Sequence, residues 1–313
     1  MSISVLRTND NSWWVGTVGG YARVDTTAVT TAELVQERAA IAAAAESAAS
    51  PLSEDLTVVS PVTAPCRIVA QMTNFVSHVR DVGDDPDSVP LTFFRKSSGS
   101  ITGPYGDVVR PAHVGLLDYE VEIGLVFGRD MPVGSVITSD NLGDYVGGLV
   151  VTNDVSARDV QLLKTQFYEA KSYPTFTPVG PVLVLLDSDE LKRLSDLRLR
   201  LWVNGELRQD MTAADMIYPP LEALWELTRF QRMNSGDLLL TGTPVGTALS
   251  APPRPVRAIA SLLPTTLKWN LFFKGQRKNS KYLRAGDVIE STIGTDDGVI
   301  QLGRQRLVVR DAG

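Results

Sequence analysis

Three acids raise the chemical question. Glu120 and Glu122 lie two residues apart in Tyr119-Glu-Val-Glu-Ile, and Asp154 follows the apolar run Tyr145-Val-Gly-Gly-Leu-Val-Val-Thr-Asn. On a strand, residues i and i+2 share a face, about 6.5–7 Å apart along it. Glu120 and Glu122 should therefore point one way, and Val121 and Ile123 the other way, into a core. Two neighbouring carboxylates repel unless something positive lies between them. A hard divalent cation, which prefers carboxylate oxygen, is one solution. A solvated strand face is the plainer alternative for Glu-x-Glu, and Asp154 taken alone could be an N-cap or Asx-turn residue. Three acids at the ends of two apolar strands make an oxygen-ligand metal site the sharper reading. The chain has only two histidines, His78 and His113. A His-rich centre is excluded, and any metal must rest mainly on carboxylates.

Composition bounds what surrounds these acids. The 313 residues are 43% hydrophobic and 21% charged, with a formal charge of −6, and the pI is about 5.1. That apolar fraction can supply a sizeable core. The acidic balance argues against nucleic acid as a partner and mildly against an anionic membrane. No apolar run approaches the ~20 residues of a membrane span, and Met1-Ser-Ile-Ser-Val-Leu-Arg lacks the order of a signal peptide. The single cysteine, Cys66, excludes an internal disulfide and fits a reducing cytoplasm.

The elements that must position the acids are short. Residues 1–30 alternate and turn on Gly pairs, which predicts a small hairpin region. Residues 31–49 favour a helix: Thr31 can cap, Glu33 sits in the first turn, and Pro51 stops the Ala-rich run. A boundary near residue 60 separates a small N-terminal domain, 1–60, from a larger block, 61–313. In that block short β-runs alternate with Gly, Pro and Asp. Asn204-Gly205 marks a hairpin turn, and residues 219–231 place Leu221, Leu224, Trp225 and Leu227 or Phe230 at helical spacing. The architecture expected is mixed, β-rich α+β, not a doubly wound sheet.

Seven separated strings then agree, in type and order, with one family. They are Asp118-Tyr-Glu-Val-Glu-Ile; Asn153-Asp-Val-Ser-Ala-Arg-Asp; Lys171-Ser-Tyr-Pro-Thr-Phe-Thr-Pro-Val-Gly-Pro; Val203-Asn-Gly-Glu-Leu-Arg-Gln; Asp215-Met-Ile-Tyr-Pro; Gly236-Asp-Leu-Leu-Leu-Thr-Gly-Thr-Pro; and Leu283-Arg-Ala-Gly-Asp-Val-Ile-Glu. Between about residues 66 and 310 the chain resembles the fumarylacetoacetate hydrolase family. The resemblance implies a β-roll of mixed sheets with short helices around a buried site. It implies Mg²⁺ or Mn²⁺, with Ca²⁺ also possible, on Glu120, Glu122 and Asp154. It implies a site lysine at Lys171, substrate contacts at Gln161 and Thr243, and a homodimer. Lys96 stands where the family has a Lys-Pro string, with Ser97 replacing the proline, and is taken as a further substrate contact.

Substrates of such proteins are acylpyruvates and related 2-oxo or diketo acids. The reaction expected is hydrolysis of the carbon–carbon bond of a 2,4-dioxo acid. Bond breaking leaves charge on C3 that is delocalised as a metal-stabilised enolate, and Lys171 adds a fixed cation. The family pattern places a histidine with an acid three residues on. Here His78 would take a proton from water and Asp81 would orient the ring. The family's acid is glutamate, and Asp81 is one methylene shorter. Decarboxylation, enol–keto isomerisation or hydration of a 2-oxo acid needs the same enolate without water activation. A catalytically silent binding relative is the remaining reading. The segment after His78 reads as a surface loop able to act as a lid, and His113 reads as structural.

One departure stands out. Where relatives make a short connection, a basic insertion occupies 248–282. Residues 248–285 carry Arg254, Arg257, Lys268, Lys274, Arg277, Lys278, Lys281 and Arg284 and no acid. It is either surface decoration, including a dimer-contact arm, or a cover that draws an anionic substrate toward the mouth.

Overall fold

The computed structural model describes residues 2–250 and 263–313. Nineteen strands are numbered in chain order. The first six are β1 (Ile3–Thr8), β2 (Trp13–Thr17), β3 (Gly20–Arg23), β4 (Val58–Val59), β5 (Ile68–Gln71) and β6 (Phe93–Lys96). There follow β7 (Ile101–Thr102), β8 (Asp107–Arg110), β9 (Leu117–Asp118), β10 (Val121–Phe127), β11 (Val146–Asn153), β12 (Ser156–Ala157) and β13 (Thr177–Pro178). The last are β14 (Val182–Leu185), β15 (Leu197–Val203), β16 (Glu206–Thr212), β17 (Leu238–Leu240), β18 (Val288–Thr295) and β19 (Gln301–Asp311).

A ten-stranded sheet runs β3-β2-β1-β14-β11-β10-β17-β5-β6, with β4 paired to β1. A five-stranded sheet runs β16-β15-β18-β19-β8. Most pairs are antiparallel, but β17–β5 and β19–β8 are parallel. This is the mixed, β-rich α+β architecture expected.

The burial pattern explains the stacking. β15 and β18 alternate buried and half-buried residues, as strands with one wet face must. β10 and β11 are buried throughout because both their faces are covered. Val121, Ile123, Leu125 and Phe127 face one apolar cluster, shared with Leu199 and Leu201 of β15 and Ile289 of β18. Val126 and Val150 face a second, shared with Trp13, Leu34, Ile41 and Ile68. Each such side chain, fully buried, contributes roughly 1.5–3 kcal/mol. The strands and helices of residues 1–60 enter the fold through this second cluster, and β1 also pairs with β14 from Ile3↔Leu185 to Leu6↔Val182.

Local chemistry accounts for most boundaries. Asn204 and Gly205 both take positive φ, 52° and 80°, and close the β15–β16 hairpin as an Asn-Gly pair should. The Ala-rich segment forms two helices, Thr31–Leu34 and Arg38–Ala45. The cap is Thr30, not Thr31: Thr30 and Glu33 form a reciprocal capping box, while Thr31 Oγ1 donates to the Pro61 carbonyl at 2.8 Å. The helix expected at 219–231 spans Pro220–Thr228. It buries Leu224 and Leu227 and leaves Trp225 exposed; Phe230, past its end, is exposed as well. The segment around His78 forms a helix, Val76–Asp81, before the chain becomes irregular. In the basic connection a helix spans Thr265–Gln276; Arg254 and Arg257 lie outside the described residues. Among the described residues, no helix is long and apolar enough to cross a membrane.

Candidate active site

Strand register brings the acids together. β10 and β11 pair Val121 with Asn153 and Glu122 with Thr152. One step further along the ladder, the Asp154 N–H donates to the Glu120 carbonyl at 2.8 Å. Glu120 and Asp154 are thus cross-strand partners on the face that Glu122 shares. Asn153 holds the end of the ladder, its Oδ1 accepting the Glu120 N–H at 2.9 Å. All three acids are buried, and an oxygen from each lies within 4.8 Å of the others. Such a set of carboxylate oxygens fits a hard divalent cation.

Three cations neutralise part of this charge. Lys171 Nζ lies 2.6 Å from both Glu120 Oε2 and Asp154 Oδ2. Lys96 Nζ donates to Asp154 Oδ1 and, at 2.9 Å, to the Phe176 carbonyl. Arg158 donates through Nη2 to Glu120 Oε1, through Nε to Asp118 Oδ2 at 2.8 Å, and through Nη1 to Gln161 Oε1 at 2.8 Å. Asp118 also accepts the N–H groups of Tyr119 and Ala248 at 2.8 Å and of Leu249 at 3.1 Å. Four buried carboxylates therefore face three buried cations.

Glu122 differs from its neighbours. Among the described residues it makes no salt bridge, and its Oε2 accepts the Gly242 N–H at 2.8 Å. Burial, and then the charges of Asp154 and Glu120, push its carboxyl above the usual range. Burial would raise Glu120 as well, but Arg158 and Lys171 outweigh it and hold that carboxyl at about 2. Burial would lower Lys171, but Asp154 and Glu120 raise it above its ordinary value. Lys171 stays charged. A bound divalent cation would add positive charge to the site and favour an anionic ligand.

The turn behind Glu122 is fixed by long-range contacts. Gly242 has φ +83°, and a Cβ there would lie 2.9 Å from the Asn74 Cβ. Asn74 Nδ2 donates to the Thr241 and Tyr218 carbonyls at 2.8 and 3.1 Å, and its Oδ1 accepts the Tyr218 N–H at 2.9 Å. Thr243 Oγ1 donates to the Val121 carbonyl at 2.9 Å and accepts from Gln209 Nε2 at 2.8 Å. Gln209 Oε1 in turn accepts the Val121 N–H at 3.1 Å.

These groups open on a cavity of about 170 Å³. Glu120, Glu122, Asp154, Lys171, Gln161 and Thr243 line it, as does His78. Phe94 and Phe167 form an aromatic wall, with Lys171 Nζ 5.5 Å from the Phe94 ring centre. His78 rides on the Val76–Asp81 helix, whose start is held by the Ser77 N–H donating to Asp215 Oδ2 at 2.9 Å. Burial, more than the opposing charge of Glu120, lowers the His78 pKa below 6.5 and keeps the ring neutral at pH 7. Its Nδ1 is buried without a hydrogen-bond partner, as is Oε1 of Gln71, another lining residue.

Two expected participants stand elsewhere. Lys96 does not line the cavity, because its ammonium is turned onto Asp154 and the Phe176 carbonyl. Asp81 is exposed, and among the described residues no hydrogen bond joins it to His78. Asp84, three residues on, lines the cavity instead. His113 lies outside it, paired with the Tyr173 hydroxyl at 2.8 Å. The motifs quoted above contain Arg158 and Asp118 without giving them roles, and sequence reasoning gives none to Asn74, Gln71 or Gln209. A charged residue in an apolar setting, Val-Ser-Ala-Arg158, was the signal available for the first.

The chain is similar to known proteins. The profile of the fumarylacetoacetate (FAA) hydrolase C-terminal region matches residues 67–310. An oxaloacetate tautomerase of Bacillus subtilis, YisK, is 34% identical over 239 residues, covering 75% of this chain and 68% of that protein. The mitochondrial oxaloacetate tautomerase FAHD2B of Bos taurus is 33% identical over 201 residues, 64% of this chain and 62% of its own length. The chain thus spans less than two thirds of that mammalian relative. A probable 2-hydroxyhepta-2,4-diene-1,7-dioate isomerase from Mycobacterium abscessus superposes over the whole of both chains with a TM-score of 0.75 at 27% identity. The matched stretch contains all three acids, Lys171 and the Gly242 turn that fixes Glu122. The chain belongs to the fumarylacetoacetate hydrolase family.

Proposed function

We propose that the protein is a Mg²⁺- or Mn²⁺-dependent enzyme that interconverts the enol and keto forms of a small 2-oxo acid of the oxaloacetate type. When bound by Glu120, Glu122 and Asp154, the cation supplies Lewis-acid stabilisation of enolate charge. The chain's own groups do the rest. Lys171 stays protonated and presents a fixed cation at the cavity wall. Phe94 and Phe167 narrow the space to a small substrate. His78, neutral and in the cavity wall, takes the enol proton and returns one at C3. The enol O–H is lost and a C3–H bond forms; no carbon–carbon bond breaks and no water adds.

One observation favours this reading over hydrolysis. Water activation by a histidine–acid pair needs the acid on the ring, and Asp81 is exposed and unbonded to His78. The names of the relatives, tautomerases and an isomerase, point the same way. Cleavage of an acylpyruvate is the second reading, kept by His78 and Asp84, which both line the cavity. We also carry over a homodimer from the family resemblance and a reducing cytoplasm from the single cysteine.

Two assays run side by side test the choice: ketonisation of enol-oxaloacetate and cleavage of acetylpyruvate, each with Mg²⁺ and with chelator. We expect metal-dependent ketonisation, acetylpyruvate cleavage at least about 100-fold slower, and unchanged ketonisation in Asp81→Ala. Rapid acetylpyruvate cleavage that falls about 100-fold in Asp81→Ala would establish the hydrolase instead.

A further inference from the structure

The basic connection is the feature that the catalytic cavity leaves unused. Its last part, from Arg277 to Ala285, walls a second cavity of about 300 Å³. The facing wall is Arg110, at the end of β8, and Asp311, at the end of β19; Gly115 and Leu116 also line it. No residue lines both cavities. They stand back to back: the Leu116 carbonyl accepts the Arg158 N–H at 2.9 Å.

The charge in this cavity is unbalanced. Arg110, Arg277 and Arg284 share it with one carboxylate, Asp311. Arg110 is engaged by that carboxylate, with Nη2 at 2.6 Å and Nε at 2.8 Å. Arg277 and Arg284 make no salt bridge among the described residues, and residues 248–285 contain no acid to supply one. Asp159 accepts the Gly115 N–H at 2.7 Å from outside the lining. The other polar side chains of the wall are already committed. Asn279 Nδ2 donates to the Ala248 carbonyl and the Tyr282 hydroxyl donates to Gln276 Oε1, each at 2.8 Å. The donors left for a ligand are guanidinium groups, whose planar forks match carboxylate and phosphate oxygens. Asp287 accepts the Arg284 backbone N–H at 2.7 Å but makes no salt bridge with its guanidinium among the described residues, so two guanidinium charges of the lining stay unpaired and match a dianion.

We propose that this cavity is an anion site distinct from the catalytic one, taking a small dianion, a dicarboxylate or a phosphate group, on Arg277 and Arg284 with Arg110 in the same lining. The assignment does not depend on which reaction the catalytic cavity runs.

Calorimetric titration of the full chain with inorganic phosphate and, separately, with succinate tests it. Chelator is present so that no metal recruits anions to the catalytic cavity. We expect saturable binding of at least one of the two anions, and the tighter one identifies the ligand's anionic group. Binding should weaken at least about 10-fold in Arg277→Ser/Arg284→Ser and in the single charge reversal Arg284→Glu, and persist in Glu122→Ala. Three results would overturn the proposal: no uptake of either anion up to about 10 mM, wild-type binding in folded Arg277 and Arg284 variants, or loss of binding in Glu122→Ala.

Discussion

Arg158→Met removes a guanidinium and keeps a side chain of similar reach. Three contacts go together: Nε to Asp118 at 2.8 Å, Nη1 to Gln161 at 2.8 Å, and Nη2 to Glu120. Removing one partner of a buried ion pair costs about 3–5 kcal/mol, because the other charge is left uncompensated. Two features place this case at the low end. Asp118 keeps three backbone N–H donors, from Tyr119, Ala248 and Leu249, and Glu120 keeps Lys171 at 2.6 Å. We expect a loss of about 3 kcal/mol. With an unfolding entropy of about 2.1 cal/mol/K per residue, a chain of 313 residues should lose about 5 °C in Tm by scanning calorimetry. Asp118→Asn strips the same pair. The double variant should therefore be destabilised by at least about 1 kcal/mol less than the sum of the singles. A Tm within about 1 °C of wild type for Arg158→Met, or additivity within about 0.5 kcal/mol, would refute the reasoning that Arg158 is the electrostatic keystone of the acid cluster.

Gly242→Ala forces a side chain into positive φ with its Cβ 2.9 Å from that of Asn74; we expect a cost of about 1–3 kcal/mol and weaker metal uptake through the displaced Glu122, read by urea melts and by Mn²⁺ titration. The ordinary histidine value of 6.5 is lowered at His78 by burial. Neutral imidazole is then the folded form at pH 7, so activity should hold through pH 6.5 and fall only at lower pH, as the ring protonates. Stability follows the same sign, because the unfolded chain binds the proton first and folding is disfavoured as pH drops. A pH–rate profile whose acid limb lies above 6.5 would contradict this.

What the sequence disclosed and what it hid follow from distance along the chain. The period of two on a strand was enough to put Glu120 and Glu122 on one face. The Asn204-Gly205 turn was equally local, because its φ values are a property of two residues. Asp154 needed one further fact, the β10–β11 register, which no single segment encodes. Asp118 meets the backbone of Ala248, 130 residues away, and Asn74 meets that of Thr241, 167 residues away; a motif scan has no term for such pairs. The N-cap is a smaller case. Thr30 and Thr31 carry the same hydroxyl, and the choice between them was made by the Pro61 carbonyl, which takes the Thr31 donor. Lys96 was assigned to substrate because it stands where the family has a Lys-Pro string. The fold turns it instead to the buried Asp154 carboxylate, which would otherwise lack half its compensation.

The central claim is that three carboxylates converge to hold one divalent cation. Titrating chelator-stripped protein with Mn²⁺, followed by electron paramagnetic resonance of the free ion, tests it most directly. The account predicts one tight Mn²⁺ per chain, displaced by Mg²⁺, and at least about 100-fold weaker uptake (about 2.7 kcal/mol) in Glu122→Ala and Glu122→Gln with the fold intact. Wild-type protein that takes up no Mn²⁺, or folded Glu122 variants that bind it as wild type does, would contradict it.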